Sequence, residues 1–197
     1  MRINNCMSRH YTLESGIPQG SSLSPLLFTI MLNDLKINVS EVKLSCYADD
    51  IAIWYSNNDL ELVRRKLQKA LHEFEIWCWQ WKLNVSPTKS VVVVFTNKQK
   101  RDILLEIKGQ SLPVLEQYKF LGMWFDSKLT WSVHIDYIVD KCKKRLNLLR
   151  CVSGTPWGSK YEILMMIYKG LILSVLDYGS EMYDSACISL KKKLDSL

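Results

Sequence analysis

No stretch of this chain is apolar for long enough to cross a bilayer. The longest, Val91-Val92-Val93-Val94-Phe95, falls far short of the roughly 20 residues that a spanning helix needs. There is no internal repeat and no low-complexity tract, which excludes solenoid and fibrous architectures. The six cysteines, at 6, 46, 78, 142, 151 and 187, form no CxxC pair, and none falls at zinc-finger spacing from a histidine. No signal-like leader opens the chain, so the cysteines read as buried thiols of an intracellular protein, placed in nucleus and cytoplasm.

What is present is an ordinary globular composition: 197 residues, 48% hydrophobic and 23% charged, enough for one domain or two small ones. The net charge of +6 suits a polyanionic partner without proving one.

The first segment, to about His10, reads as one strand of a hairpin whose partner begins at Tyr11. Gly16-Ile17-Pro18-Gln19-Gly20-Ser21 is a turn cluster, after which Ser24-Pro25 supplies a cap and a first-turn proline for a helix to Leu35. Residues 43–47 and 51–55 are two β-prone runs around Ala48-Asp49-Asp50, a tight hairpin with acids at its tip. Asn58, with Glu61 three residues on, predicts the capping box of a long helix. Its apolar stripe is Leu60, Val63, Leu67, Ala70, Phe74, Trp77 and Trp81.

Further strands are expected at 90–96, buried on both faces, at 103–107 and at 118–125, with a polar turn at 98–101 and another at Gly109-Gln110. From Thr130 the pattern is helical only, with Trp131, Ile135, Ile138, Cys142, Leu146 and Leu149 on one face. Gly154-Thr155-Pro156-Trp157-Gly158 breaks that helix, and Ser159 with Glu162 opens another through Leu164, Ile167, Leu171 and Val175. The fold class is therefore α+β, with a boundary near 128 between a mixed part (1–128) and a helical lobe (129–197).

Two adjacent carboxylates on a turn repel one another unless something offsets their charge. A divalent cation does so, and hard oxygen ligands favour Mg2+ or Mn2+. Asp49 and Asp50 are thus candidate metal ligands, or else an ordinary Asp-rich turn. What lies upstream favours the first reading. The string Ser15-Gly16-Ile17-Pro18-Gln19-Gly20-Ser21-Ser22-Leu23-Ser24-Pro25-Leu26-Leu27-Phe28, followed some twenty residues later by Tyr47-Ala48-Asp49-Asp50, closely resembles the palm of reverse transcriptases.

The resemblance implies a partial polymerase palm, an antiparallel sheet with packed helices, followed by an all-helical thumb. It further implies RNA-directed DNA synthesis by a two-metal mechanism on an RNA template, a DNA primer and deoxynucleoside triphosphates. Asp49 and Asp50 would be catalytic metal ligands, and Gly16, Pro18, Gln19, Gly20 and Tyr47 would touch nucleotide and template. Leu83-Asn84-Val85-Ser86-Pro87-Thr88-Lys89-Ser90 is similar to the family's lysine motif, making Lys89 either the proton donor to pyrophosphate or a plain surface lysine. Tyr118-Lys119-Phe120-Leu121-Gly122 resembles the hairpin that grips the primer end, with Leu121 and Gly122 as the grip residues; otherwise most of these residues are simply core, with Gly122 letting backbones pass.

Trp131-Ser132-Val133-His134-Ile135, Trp157-Gly158 and Leu176-Asp177-Tyr178-Gly179 are similar to the thumb of non-LTR retrotransposon polymerases, of the jockey and related kinds. There, Lys141, Lys143, Lys144 and Arg145 are either duplex phosphate contacts or a solvated face; Arg64-Arg65-Lys66 and Lys191-Lys192-Lys193 read as solvated. His134 has no Cys or His partner at metal spacing and reads as a packed histidine. The family also needs an aspartate on an earlier strand, and none precedes Ser15. The expectation is a fragment that is inactive alone; the alternatives are a non-catalytic nucleic-acid-binding remnant and a decayed product.

Overall fold

The computed structural model describes residues 2–3, 6–7, 20–97, 103–153 and 160–196. The chain divides into two compact units, 1–85 and 86–197, and each mixes short strands with longer helices, an α+β composition. Among the described residues the strands pair only two by two, four pairs antiparallel and one parallel.

In the first unit, β1 (Arg2–Ile3) pairs antiparallel with β2 (Cys6–Met7), while Tyr11, the expected start of the partner strand, lies outside the described residues. Helix α1 spans Ser24–Asn33 with Pro25 in its first turn, where a missing N–H costs nothing. Ser24 is the first helical residue and not the cap. Ser21 closes the entry, accepting Ser24 N–H on its carbonyl at 3.2 Å and Leu23 N–H on its hydroxyl at 3.4 Å.

Strands β3 (Lys43–Tyr47) and β4 (Asp50–Trp54) form the acidic hairpin, and α2 (Leu60–Gln80) follows it. Asp59, not Asn58, caps α2 by accepting Glu61 and Leu62 N–H. Its β-region backbone gives the carboxylate that reach, while Glu61 turns to Arg64 at 2.6 Å. Leu35, Phe74, Trp77 and Cys78 make the core, with Leu44, Ile51 and Ile53 packed on it from the hairpin. The α2 stripe holds from Val63 to Cys78, but Trp81 is exposed where the helix ends.

The second unit opens with a 3-10 turn, Pro87–Lys89. The valine run shrinks to β5 (Val92–Val93), half-buried and paired in parallel with β8 (Val114–Leu115), while Phe95 is exposed. The strand expected at 103–107 is β6 (Glu106–Ile107), turned back onto β7 (Gln110–Ser111) by Lys108-Gly109 with both φ positive. The run at 118–125 is not one strand. It splits into β9 (Gln117–Phe120) and β10 (Met123–Asp126), because Leu121 and Gly122 both adopt positive φ and reverse the chain.

Helices fill the rest: α3 (Ser132–Ser153), α4 (Tyr161–Tyr168), one π-helical turn (Lys169–Leu173), α5 (Ser174–Asp177), α6 (Ser180–Tyr183) and α7 (Ile188–Asp195). No side chain caps α4, and Ser159, expected to do so, lies outside the described residues, as do the turn at 98–101 and the Trp157-Gly158 string. Ile135, Ile138, Cys142, Ile172 and Tyr183 form the core with Met123 of β10. Each buried isoleucine there contributes about 1.5–3 kcal/mol. Of the described cysteines, Cys78 and Cys142 are buried, whereas Cys46, Cys151 and Cys187 are exposed, against the expectation of buried thiols throughout. No helix among the described residues is long and apolar enough to cross a membrane.

Candidate active site and nucleic-acid interface

The register of the acidic hairpin decides what Asp49 and Asp50 can do. Tyr47 pairs with Asp50, leaving a loop of just two residues, Ala48-Asp49. Ala48 has φ +49 and Asp49 does not share the positive sign, a pattern that normally puts glycine first. Pleating sends Leu44, Ile51 and Ile53 onto the core, and Lys43, Tyr47, Asp50 and Trp54 onto the opposite face. That face is open: Tyr47 is 68% exposed, and Lys43 lies over the Trp54 ring at 4.7 Å. Both aspartates are exposed, and neither side chain has a cationic or hydrogen-bonding partner among the described residues. Two free carboxylates with hard oxygens fit part of a divalent-cation site. Among the described residues no group of three acidic, His or Cys ligands forms.

The other expected site residues are spread over both units. Gly20 is described, with φ +87 and nothing within 4 Å of where a Cβ would sit; Gly16, Pro18 and Gln19 lie outside the described residues. Lys89 ends the 3-10 turn of the second unit, exposed. The Leu121-Gly122 turn lies against α5 and α6. Tyr178 donates its hydroxyl hydrogen to the Leu121 carbonyl at 2.6 Å, and its ring stands 3.4 Å from where a Cβ on Gly122 would be.

The four cations of α3 do not act as one cluster. Lys144 is paired with Asp140 at 2.7 Å and, like Lys143, is exposed. Lys141 and Arg145, one turn apart, line a cleft of about 380 Å3 together with Gly122, His134, Tyr137 and Tyr178. Arg145 donates to the Leu171 carbonyl in the π-helical turn. Lys119 of β9 reaches Tyr137 Oη at 3.0 Å and lies over its ring, with Lys141 on the same ring at 5.6 Å. Lys119 donates to the Tyr137 hydroxyl and holds it below its ordinary pKa, with the charge of Lys141 adding to the effect.

His134 is buried, as a packed histidine should be, and its Nδ1 accepts the Trp124 N–H at 3.3 Å. Burial, and then the charge of Lys119, push its pKa down. Sequence reasoning passed over Tyr137 and Tyr178 as cleft residues, and over Lys119 on the Tyr137 ring beside them. The signal was there in part: 134, 137, 141 and 145 recur at helical spacing beside the apolar stripe.

A family model described as reverse transcriptase (RNA-dependent DNA polymerase) matches residues 1–125. The chain belongs to the reverse transcriptase family. It is 29% identical over 206 residues to a probable RNA-directed DNA polymerase from transposon BS of Drosophila melanogaster. It is also 27% identical over 190 residues to an RNA-directed DNA polymerase from mobile element jockey of Drosophila funebris. The alignments take in 100% and 93% of this chain but 23% and 21% of those relatives, so the chain spans about a quarter or less of their length. No solved structure is significantly similar to it.

The expected kinship with the jockey kind of retrotransposon reverse transcriptase is met by these relatives. The family match takes in both the Gly16 string and the Tyr47-Ala48-Asp49-Asp50 turn. The helices from Ser132 onward lie beyond the reverse transcriptase match but within the aligned stretch of transposon BS.

Proposed function

We propose that this chain supplies the metal-binding turn and the duplex-holding lobe of an RNA-directed DNA polymerase, with residues 1–128 as palm and 129–197 as thumb. The observation that carries the reading is the Ala48-Asp49 loop: two exposed carboxylates without partners among the described residues, on a hairpin whose other face is anchored in a core. Mg2+ or Mn2+, when bound there, would activate the primer hydroxyl and steady the leaving phosphate. Asp49 and Asp50 hold the charge that binds it. Gly16, Pro18, Gln19, Gly20 and Tyr47 border the template and incoming deoxynucleoside triphosphate. Lys89 holds a proton at Nζ for the departing pyrophosphate, Leu121 and Gly122 present backbone to the primer end, and Lys141, Lys143, Lys144 and Arg145 meet duplex phosphates.

Two carboxylates alone bind a divalent cation weakly, so the 197-residue chain by itself is expected to bind RNA–DNA hybrid without extending a primer. The test is Mn2+ titration of the full chain followed by paramagnetic broadening. Broadening centred on 47–50 that vanishes in Asp49→Asn/Asp50→Asn supports the reading; broadening that ignores the double substitution overturns it. A second reading, a non-catalytic nucleic-acid-binding module, draws on the cationic cleft of the second unit. Salt-sensitive hybrid binding with no metal effect at the turn would favour it.

A further inference from the structure

The cleft between α3, the Leu121-Gly122 turn and the π-helical turn combines three features that point to one class of ligand. Its walls carry no carboxylate, yet Lys141 and Arg145 both line it and Lys119 stands beside it on the Tyr137 ring. Three cations gathered at one opening repel each other, and none is matched by an acid among the described ion pairs. Lys144, one turn from Asp140, is the α3 lysine that is neutralised.

The second feature is inside the wall. His134 is 2% exposed, and its Nε2 has no hydrogen-bond partner among the described residues. Nδ1 must be the unprotonated nitrogen, because it accepts the Trp124 backbone N–H. The neutral ring therefore carries its proton on Nε2, a buried donor without an acceptor. Leaving such a group unsatisfied costs about 1–3 kcal/mol, and proteins seldom tolerate it without a ligand or water to accept.

The third feature is positional. Arg145 is fixed by its bond to the Leu171 carbonyl, which engages one of its five N–H groups and leaves the others for the cleft. The accepting carbonyl lies within the π-helical turn, and such turns recur at functional sites. Ser174 is spoken for, donating to the Gly170 carbonyl at 2.5 Å, and Tyr178 is spoken for by Leu121. The side-chain donors still open are those of His134, Lys141 and Arg145, with the hydroxyl hydrogen of Tyr137, whose oxygen accepts from Lys119. The cleft thus offers donors and positive charge, and no acceptor of equal strength.

We propose that this cleft is an oxyanion site for a single phosphate group, with the Nε2–H of His134, the ammonium of Lys141 and the guanidinium of Arg145 as its donors. The phosphate belongs to a nucleic-acid strand or is a free phosphate; the strand source rests on the nucleic-acid-binding reading given above. The site is separate from the exposed Lys143–Lys144 face, so it adds a discrete, pocketed contact to a diffuse electrostatic one.

The test uses the full chain, with the ring 15N resonances of His134 as reporter. Inorganic phosphate and, separately, an RNA–DNA hybrid are titrated into the wild type, Lys141→Gln and, as a charge-matched comparison, Lys192→Gln. The expected result is a shift of the His134 Nε2 resonance with either probe, about tenfold weaker in Lys141→Gln and unchanged in Lys192→Gln. A shift with phosphate but not with hybrid supports the oxyanion site and assigns it to free phosphate. Hybrid binding that leaves His134 unmoved overturns the cleft while the nucleic-acid reading stands. No response to either probe overturns it also, and equal responses in Lys141→Gln and Lys192→Gln do the same. Lys192 is exposed and Lys141 half-buried, and urea unfolding of the two variants checks that both are folded.

Discussion

Tyr178 donates its hydroxyl hydrogen to the carbonyl of Leu121 across fifty-seven residues, at 2.6 Å, and so ties the last short helices to the tip of the β9–β10 hairpin. The neighbouring glycines make the contact close. A Cβ on Gly122 would stand 3.4 Å from the Tyr178 ring, and one on Gly179 would meet Met123 Sδ at 2.6 Å. The Leu176-Asp177-Tyr178-Gly179 string and the Leu121-Gly122 turn, two separate motifs in the sequence, are one packed junction.

Two substitutions measure that junction. Tyr178→Phe removes one hydrogen bond and leaves a carbonyl that water can reach, so it should cost about 0.5–1.5 kcal/mol. Gly179→Ala meets both a left-handed backbone, φ +70, and the Met123 side chain, and should cost about 1–3 kcal/mol. Urea unfolding of the full chain reads both. Equal stability of Gly179→Ala and wild type would show that the α5–α6 junction is looser than this contact requires.

Much of the candidate site was legible from residue order alone, since the hairpin, its acids and the apolar stripes of α2 and α3 follow from period and spacing. What was not legible had particular causes. Asp59 displaced Asn58 as the cap of α2 because either residue type can serve, and only the backbone dihedral chooses. The 118–125 run looked continuous because Leu121 has no turn propensity; it takes φ +47 only because Gly122 follows and the strands on both sides pair. The Lys119–Tyr137–Lys141 grouping was hidden because β9 and α3 meet in space, which no spacing along the chain encodes.

The loop of the acidic hairpin carries strain that can be released. Ala48 has φ +49 where glycine is the usual residue, at a conformational cost of about 1–2 kcal/mol. Ala48→Gly should therefore raise stability by up to about 1 kcal/mol, net of the extra freedom glycine gains when unfolded. Ala48→Val should lower it, since a β-branched residue tolerates that region worst. Thermal unfolding of the two variants should shift in opposite directions. A shift of the same sign in both would remove strain as the explanation.

Asp126 organises the entry to α3. Its carboxylate accepts N–H groups from Lys128, Thr130 and Trp131, at 3.1, 3.0 and 2.9 Å, and the Thr130 hydroxyl as well. Burial pushes the acid's pKa up, but the backbone N–H groups together overcome it and hold the pKa below the ordinary carboxylate value. A depressed folded pKa means stability that is present above the unfolded value, near 3.8, and lost as pH falls through the folded one. Asp126→Ala should cost about 0.5–2 kcal/mol at neutral pH, by analogy with loss of a helix cap, and should flatten the acid limb of the stability curve. A variant with an unchanged acid limb would place the titration elsewhere.

The buried imidazole sets a second, higher pH window. His134 is held neutral by burial first and by the charge of Lys119 second, so its folded pKa lies below the ordinary 6.5. Lys119 and Lys141 are the cations near it, Trp131, Tyr137 and Tyr183 are the rings against it, and Trp124 N–H needs its Nδ1 lone pair. Protonation would place a third positive charge beside two lysines and break the Trp124 bond. The unfolded chain binds that proton first, so stability should begin to fall as pH drops below about 6.5 and continue to fall down to the folded pKa. Lys119→Gln removes the repelling charge that adds to burial. It should move the folded pKa back toward 6.5 and narrow the window, while Lys192→Gln should leave it alone. Chemical denaturation at a series of pH values between 4 and 8 isolates the imidazole limb, because the Asp126 limb begins near 3.8 and lies below that series. If stability is flat from pH 7 to 5 in the wild type, the folded and unfolded pKa values coincide and burial does not depress the imidazole; if stability rises as pH falls, the imidazole carries its proton in the fold and the assignment of Nδ1 as acceptor fails.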